Sequence, residues 1–244
     1  MVDGMPLQPV NRRSVPDEVF DQVLAEVVEG GLGPGEALPS ERRLSEVLGV
    51  SRPAVREALQ RMAQTRLVEV RQGGSTTVRD FRKTAGLDLL PRLFVRAGNL
   101  DTAVARSILE ARLIVGPGVA GLAAERGGPA VAVALTEVVD ALAATDDDVE
   151  RQRHALAFWD LVVDSADSLT FRLMFNSLRA AYEPALEALA SLMREEVGQI
   201  GAYRVLTAAI AEGDADTARV AAERVLRPAT HNLITALESL EEMT

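Results

Sequence analysis

Apolar residues early in the chain recur at three- and four-residue spacings in three short segments, which predicts three amphipathic helices. The first begins at Ser14 and ends at Gly30. The second follows a break rich in Gly and Pro, with Ser40 as its N-cap and Gly49 as its end, and Ser51 caps the third. The apolar residues predicted to face inward are Val19, Phe20, Val23, Leu24 and Val27 on the first helix, Leu44, Val47 and Leu48 on the second, and Val55, Leu59 and Met62 on the third.

Two short alternating runs follow the third helix, and the turn residues Gln72-Gly73-Gly74 separate them. This pattern predicts a β-hairpin with Arg71 and Arg79 beside its tip. A helix, a glycine and a second helix alone often form a plain helical corner. Because a hairpin completes the order here, we expect a winged helix-turn-helix.

From about residue 84 the apolar spacing is helical throughout, and no segment alternates like a strand. Asp214 is the predicted cap of the last helix. The fold class is therefore mainly α, an N-terminal winged helix-turn-helix followed by an all-α bundle. The predicted helices cover residues 84–97, 101–126, 129–144, 148–166, 168–194, 196–211 and 214–241. The predicted domains are a DNA-binding domain over residues 1–82, a linker helix over 83–97 and an effector-sensing domain over 98–244.

The charge of the chain is uneven. The net charge is −10, yet residues 1–83 are neutral in sum and residues 40–82 hold nine Arg against five acids. The acidic excess lies entirely in residues 84–244. A locally basic head is compatible with binding DNA, since phosphate contacts depend on the local field.

Composition excludes several kinds of chemistry. The chain has no Cys, so disulfides, thiolate zinc sites and cysteine nucleophiles are excluded, and its two His cannot form a three-histidine metal cage in one subunit. We identify no nucleophile paired with a base and read Asp146, Asp147 and Asp148 as a solvated loop, so an acyl-CoA-using enzyme lacks support. No signal-peptide core and no uninterrupted run of 18 apolar residues occur, so we expect a cytoplasmic, nucleoid-associated protein without a membrane partner.

The string LPSERRLSEVLGVSRPAVREALQRMAQTRLVEVRQGGSTTV resembles the winged helix-turn-helix head of the GntR family of bacterial transcriptional regulators. The resemblance implies that double-stranded operator DNA is the partner. We expect Arg52 to contact bases, Arg42 and Arg56 to contact phosphates or base edges, and Gly73 to approach the minor groove. Arg61 and Arg66 are expected to be solvated or paired with acids. The residues implied to contact DNA are Arg42, Ser51, Arg52, Ala54, Arg56, Gln72 and Gly73.

The stretch SILEARLIVGPGVAGLAAER resembles the ligand-sensing domain of the FadR subgroup, with its E-x-R motif at Glu110 and Arg112. Most members of the subgroup hold a metal ion with one Asp and three His. The positions that correspond to those four ligands are Ala155, Trp159, Tyr203 and Val225, so the resemblance predicts no metal and no cofactor.

The branch of the subgroup without metal ligands binds long-chain acyl-CoA, which is therefore the effector that the resemblance implies. The implied effector-binding residues are Arg112, Trp159, Tyr182 and Tyr203. The aromatic side chains would equally fill a vacated core, and Arg112 would equally form a salt bridge to another helix. The alternative effector is a small carboxylate bound without metal. We further expect a homodimer on a palindromic operator, with the linker helix as the lever between the two functions.

Overall fold

The computed structural model describes residues 14–71, 74–96 and 99–241. The chain divides into two compact units, Met1–Leu89 and Leu90–Thr244. The first unit corresponds to the predicted DNA-binding head, and the second to the predicted helical bundle.

The first unit has three main helices and a small hairpin. The Ser14, Ser40 and Ser51 side chains each accept a hydrogen bond from the backbone N–H three residues further on, so the three predicted N-caps are confirmed. Gly49 ends the second helix in the left-handed conformation with φ 66°, which glycine adopts without strain. The elements are α1 (Val15–Val28), α2 (Glu41–Leu48), α3 (Arg52–Gln64), β1 (Val68–Glu69), β2 (Thr77–Val78), α4 (Phe81–Thr84) and a 3₁₀ turn (Leu87–Leu89).

The core of the head lies where α1 and α2 pack against α3. Phe20, Val55 and Met62 are fully buried there, as their spacing predicts. The prediction for α2 is wrong at one position, since Leu44 is buried but Val47 is 63% exposed. This eight-residue helix covers only a narrow stripe against α3, and Val47 lies beside that stripe.

The hairpin has the predicted antiparallel pairing, with Val68 opposite Val78 and Glu69 opposite Thr77. A single bridge from Ala37 to Thr77 extends the pairing by one residue. The predicted wing is therefore confirmed as a paired element, whereas its tip residues Gln72 and Gly73 lie outside the described residues.

The second unit is a helical bundle, as predicted, with one short ribbon in which Val95 pairs with Leu100. The long helices α6 and α12 form its most extensive helix pair, and α8, α10 and α11 pack around them. Asp214 accepts a hydrogen bond from the backbone N–H of Thr217, which confirms the predicted cap. The elements are α5 (Leu90–Phe94), β3 (Val95–Arg96), β4 (Asn99–Leu100), α6 (Thr102–Arg126), α7 (Pro129–Ala144), α8 (Asp148–Ser165), α9 (Leu169–Tyr182), a 3₁₀ turn (Glu183–Ala185), α10 (Leu186–Val197), α11 (Ile200–Glu212) and α12 (Ala215–Glu241).

Two predicted helices are interrupted. The linker over residues 83–97 is not one helix, because Ala85 is extended and a 3₁₀ turn, the short α5 and β3 follow it. Pro91 has no N–H to donate to the carbonyl of residue 87, so a continuous helix through it would lose a hydrogen bond. Pro184 has the same effect on the helix predicted over residues 168–194, which divides into α9, a 3₁₀ turn and α10. A rigid linker-helix lever is therefore ruled out.

By length and composition, α6 resembles a membrane-spanning helix. Its contacts with α8, α11 and α12 account for this apolar character, because the helix runs through the bundle core. Its buried residues are mostly small, among them Ala120, Ala123 and Ala124, which allows the neighbouring helices to approach closely.

Candidate DNA-binding surface and effector cavity

The N-terminal end of α3 is the most exposed cationic feature of the helix-turn-helix. Ser51 begins the helix there, and Arg52 follows it with an exposed side chain. Within the described part of the chain, Arg52 makes neither a hydrogen bond nor an ion pair, although its charge helps to lower the pKa of Glu41. Ala54 is half-buried one turn further. A free guanidinium at this end suits bidentate contact with guanine.

Arg56 is held by a carboxylate that the sequence analysis did not single out. Its Nε and Nη2 atoms donate to the two oxygens of Glu41, at 3.2 and 2.9 Å. The hydrogen bond from Arg56 lowers the pKa of Glu41, and the same bond raises the pKa of Arg56. Only a pattern of an acid in the first turn of α2 and an Arg in the first turn of α3 could have suggested this pair.

The other arginines of the head differ in their partners. Arg42 pairs with Glu46 at 2.8 Å and keeps 73% of its side chain exposed. Arg61 pairs with Asp17 and Glu57, each at 2.6 Å, so its predicted pairing with acids is confirmed.

Two further arginines border the hairpin. Arg66 donates to the backbone carbonyl of Thr84 and not to an acid, contrary to one of the two expectations for it. Arg71 pairs with Glu69 at 3.3 Å beside the undescribed wing tip. The cations free to meet a phosphate backbone therefore concentrate at the starts of α2 and α3.

A cavity of about 110 Å³ lies inside the second unit, between α6, α8, α9, α10 and α12. Most of its wall is apolar, and five of the wall residues with polar side-chain atoms are Arg112, Gln152, Trp159, Tyr182 and Glu196. Arg179 also lines it, but its charge is matched outside by Glu183 and Asp160. The apolar wall includes Ile108, Val115, Val119, Phe171, Phe175 and Leu226.

Arg112 on α6 forms a buried ion pair with Glu196 on α10, with Nη2 and Oε1 2.5 Å apart. Burial disfavours the charge on both groups. The field of Glu196 overcomes it for Arg112, whose pKa is raised, whereas burial dominates at Glu196 and raises the pKa of that carboxyl against the opposing effect of Arg112. The salt bridge to another helix, one of two roles expected for Arg112, is thus present. Nothing in the local sequence distinguishes Glu196 from the exposed Glu195 beside it.

Tyr182 is fixed at the same cavity by Gln152, which is almost completely buried. The Tyr182 hydroxyl donates to Gln152 Oε1 at 2.5 Å, and Gln152 Nε2 donates to the carbonyl of Leu186 at 3.1 Å. Burial raises the pKa of Tyr182. Both polar side chains therefore have partners and present a neutral surface to the cavity.

The two aromatic residues at former metal-ligand positions differ in their surroundings. Trp159 lines the cavity, and its Nε1–H has no hydrogen-bond partner among the described residues. Tyr203 does not line the cavity, which corrects the expectation that it binds the effector. Its ring is fully buried and packs edge-on against Phe158, with centroids 4.9 Å apart, because α11 turns this face into the core. Burial raises its pKa well above the usual value.

All four positions that carry metal ligands in most of the subgroup belong to one buried apolar cluster. Among the described residues, no group of three or more His, Cys, Asp or Glu side chains is placed to hold a metal ion. Ala155 also lines the cavity, so small and apolar side chains replace donors at its wall.

Two family models match the chain. The model described as bacterial regulatory proteins, gntR family, matches residues 16–78, and the FCD domain matches residues 107–228. The HTH-type transcriptional regulator Mce2R of Mycobacterium tuberculosis is 57% identical over 96% of this chain and 98% of its own length.

More distant proteins match in part or in fold. The fatty acid metabolism regulator protein of Vibrio cholerae is 35% identical over 39% of this chain and 34% of its own length. A solved structure of Lar, which controls the agr system of Listeria monocytogenes, covers 93% of this chain and 99% of that chain, with a TM-score of 0.58 and 14% identity. This last likeness concerns the fold alone.

The winged head with its cationic recognition helix and the separate cavity-bearing bundle define a DNA-binding transcriptional regulator of two functional parts, not an enzyme. The chain belongs to the GntR family, and its second part is an FCD domain. As a regulator that binds DNA, it acts in the cytoplasm.

Proposed function

We propose that this protein is a homodimeric, nucleoid-associated regulator of fatty-acid metabolism whose affinity for its operator changes when long-chain acyl-CoA binds in the helical unit. The observation that carries the proposal is the apolar cavity whose wall has Ala155 and Trp159 where a metal-binding relative has ligands. The name of the Vibrio cholerae relative, a fatty acid metabolism regulator, points to the same class of effector.

In the proposed complex each head places α3 in the major groove of one half-site. Two-fold protein symmetry then requires a palindromic operator. Arg52 contacts bases, because it is the exposed cation at the tip of α3 without an ion-pair partner in the described chain. Arg42 and Arg56 exchange their carboxylate partners for phosphates.

The cavity volume constrains how an acyl chain enters. About 110 Å³ is less than the roughly 150 Å³ of an engineered cavity that binds benzene, so a long chain requires one wall to move. Helix α9 is the wall with the fewest attachments: Ala181 is its only buried residue, while Leu169 and Leu173 are 73% and 57% exposed. We propose that α9 moves outward as the chain enters.

Helix α9 also provides a route from the cavity to the start of the bundle. Leu178 and Tyr182 line the cavity and pack on the same buried cluster as Phe94 of α5. Because α5 is the first helix after the head, displacement of α9 changes the position from which the head is held. Operator affinity then changes in proportion to the differential affinity of the effector for the two states.

The test uses Trp159, the only tryptophan of the chain, as a reporter at the cavity wall. Palmitoyl-CoA is titrated into the full-length protein while the Trp159 emission and the fluorescence anisotropy of a labelled operator duplex are followed in parallel. We expect both signals to change over the same concentration range. A change in neither signal at any acyl length would overturn the proposal of a lipid effector and leave the DNA-binding role intact.

A small carboxylate bound without metal is the second candidate, and the modest cavity volume is the observation that favours it. The Arg112–Glu196 pair weighs against it, since the one buried cation that would attract a carboxylate is already neutralised. Citrate and lactate titrations with the same two signals separate the candidates, because only a response to these anions supports the second one.

A further inference from the structure

The polar end of the cavity has an unused acceptor. Glu196 is 1% exposed, and its Oε1 accepts from Arg112, but its Oε2 has no hydrogen-bond partner among the described residues. A buried carboxylate oxygen without a donor costs free energy. The arrangement is therefore complementary to a molecule that brings a donor to this point.

An unused donor lies in the same wall. The Nε1–H of Trp159, a residue only 8% exposed, also lacks a partner within the described chain. The other polar groups that face this space, Tyr182 and Gln152, are bonded to each other. The unmet capacity of the cavity therefore consists of one acceptor and one donor, which a hydroxyl group matches in kind.

The charges facing the cavity oppose an anion. Arg112 stays protonated at any ordinary pH, and its contact with Glu196 cancels its charge within the apolar wall. An ionised carboxylate placed beside this pair would be a third buried charge without a counterion. Arg179 does not provide one, because Glu183 and Asp160 already bind it.

We propose that the cavity selects an uncharged, hydroxyl-bearing aliphatic chain that donates a hydrogen bond to Glu196 Oε2, and that it rejects an ionised carboxylate. This inference rests on the proposed function, since it defines which part of an acyl effector lies at the Glu196 end: a hydroxylated chain and not a free carboxyl terminus. Selectivity of this kind arises because a site built for a hydrogen bond strongly disfavours an analogue without the donor.

The experiment compares three ligands of matched length with the full-length protein at neutral pH: 1-octanol, octanoate and 1-methoxyheptane. The ether accepts hydrogen bonds but donates none. Binding is followed by the emission of Trp159. We expect 1-octanol to bind at least about tenfold more tightly than either of the other ligands, as befits a hydrogen bond to a charged acceptor.

Two variants test the role of the carboxylate. In Glu196→Gln the charge of Arg112 is no longer matched, so the preference should reverse and octanoate should bind more tightly than 1-octanol. The exposed neighbour provides the control, and Glu195→Gln should keep the wild-type order. If Glu196→Gln does not fold, the double variant R112M/E196M removes both charges together and should bind 1-octanol and the ether equally.

Each outcome bears on the proposal. Octanoate binding as tightly as 1-octanol to the wild type overturns it, and so does an ether that binds as tightly as the alcohol. If palmitoyl-CoA changes the Trp159 emission while 1-octanol does not, this inference fails and the proposed function stands. If neither ligand changes it, both fail.

Discussion

Arg56 and Glu41 are joined by two hydrogen bonds that connect the first turn of α3 to the first turn of α2. The contact lies on the surface, with 60% of the Arg56 side chain and 31% of the Glu41 side chain exposed. An exposed pair contributes little to stability because water screens it. Its consequence is therefore expected in DNA binding, where phosphates compete with Glu41 for the same guanidinium.

Replacing Glu41 with Gln should raise affinity for operator and scrambled duplexes alike, because the change removes a negative charge near the phosphates and releases Arg56. Arg56→Ala should weaken both and reduce the slope of log affinity against log salt by about one. Fluorescence anisotropy at several salt concentrations measures both effects. A selective loss of operator binding in Glu41→Gln would show instead that Glu41 orients Arg56 for base contact.

Arg52→Ala should weaken operator binding by about 1 to 3 kcal/mol and affect a scrambled duplex much less, since a base contact carries sequence information. Arg61→Ala is the matched control on the same helix. Its guanidinium is bound to Asp17 and Glu57, so it should leave operator affinity unchanged. Competition titrations with both duplexes measure the difference, and equal losses on the two duplexes would assign Arg52 to the phosphate backbone.

Two glycines of α6 give a matched test of the cavity. A Cβ at Gly116 would lie 2.4 Å from Leu226 Cδ1 and would push that side chain within the cavity wall, whereas a Cβ at Gly118 would meet nothing within 4 Å. Gly118→Ala should stabilise the protein by about 0.5 to 1 kcal/mol through helix propensity alone.

Gly116→Ala should gain less stability and should bind the effector more weakly, with unchanged operator affinity in the absence of effector. Denaturant unfolding gives the stability and Trp159 emission gives the binding. Equal effector affinities in the two variants would mean that the effector does not use this cavity.

Asp214 gives a pH-dependent signal at the start of α12. Its hydrogen bonds with Thr217 lower its pKa below the usual value of 3.8. Its folded-state pKa is thus below the unfolded one, so its contribution to stability is complete above the unfolded pKa and is lost as the pH falls through the folded pKa. Asp214→Asn retains a capping side chain but cannot titrate.

The wild type should therefore lose more stability than Asp214→Asn when the pH is lowered from above 3.8 into the acid range. Thermal unfolding monitored by helical circular dichroism at a series of pH values makes this comparison. Identical pH profiles would show that the cap does not depend on the charge of Asp214.

The sequence by itself determined the features that depend on near neighbours. Ser40 and Ser51 cap helices because each hydroxyl reaches a backbone N–H three residues away, and Gly49 provides the left-handed turn between α2 and α3. The replacement of metal ligands at Ala155 was equally readable, since a side chain without donor atoms excludes coordination in any fold. Pro91 and Pro184 were also visible, and the sequence analysis gave their missing N–H groups too little weight.

The tertiary structure alone decided which distant side chains meet. Arg112 and Glu196 are separated by 84 positions, and their contact follows from how α6 and α10 pack. The same is true of the exposed Val47, of the buried ring of Tyr203 and of the cavity itself. Local periodicity defines which face of a helix is apolar, but only the positions and crossing angles of the neighbouring helices determine which residues of that face are covered, paired or left facing a space.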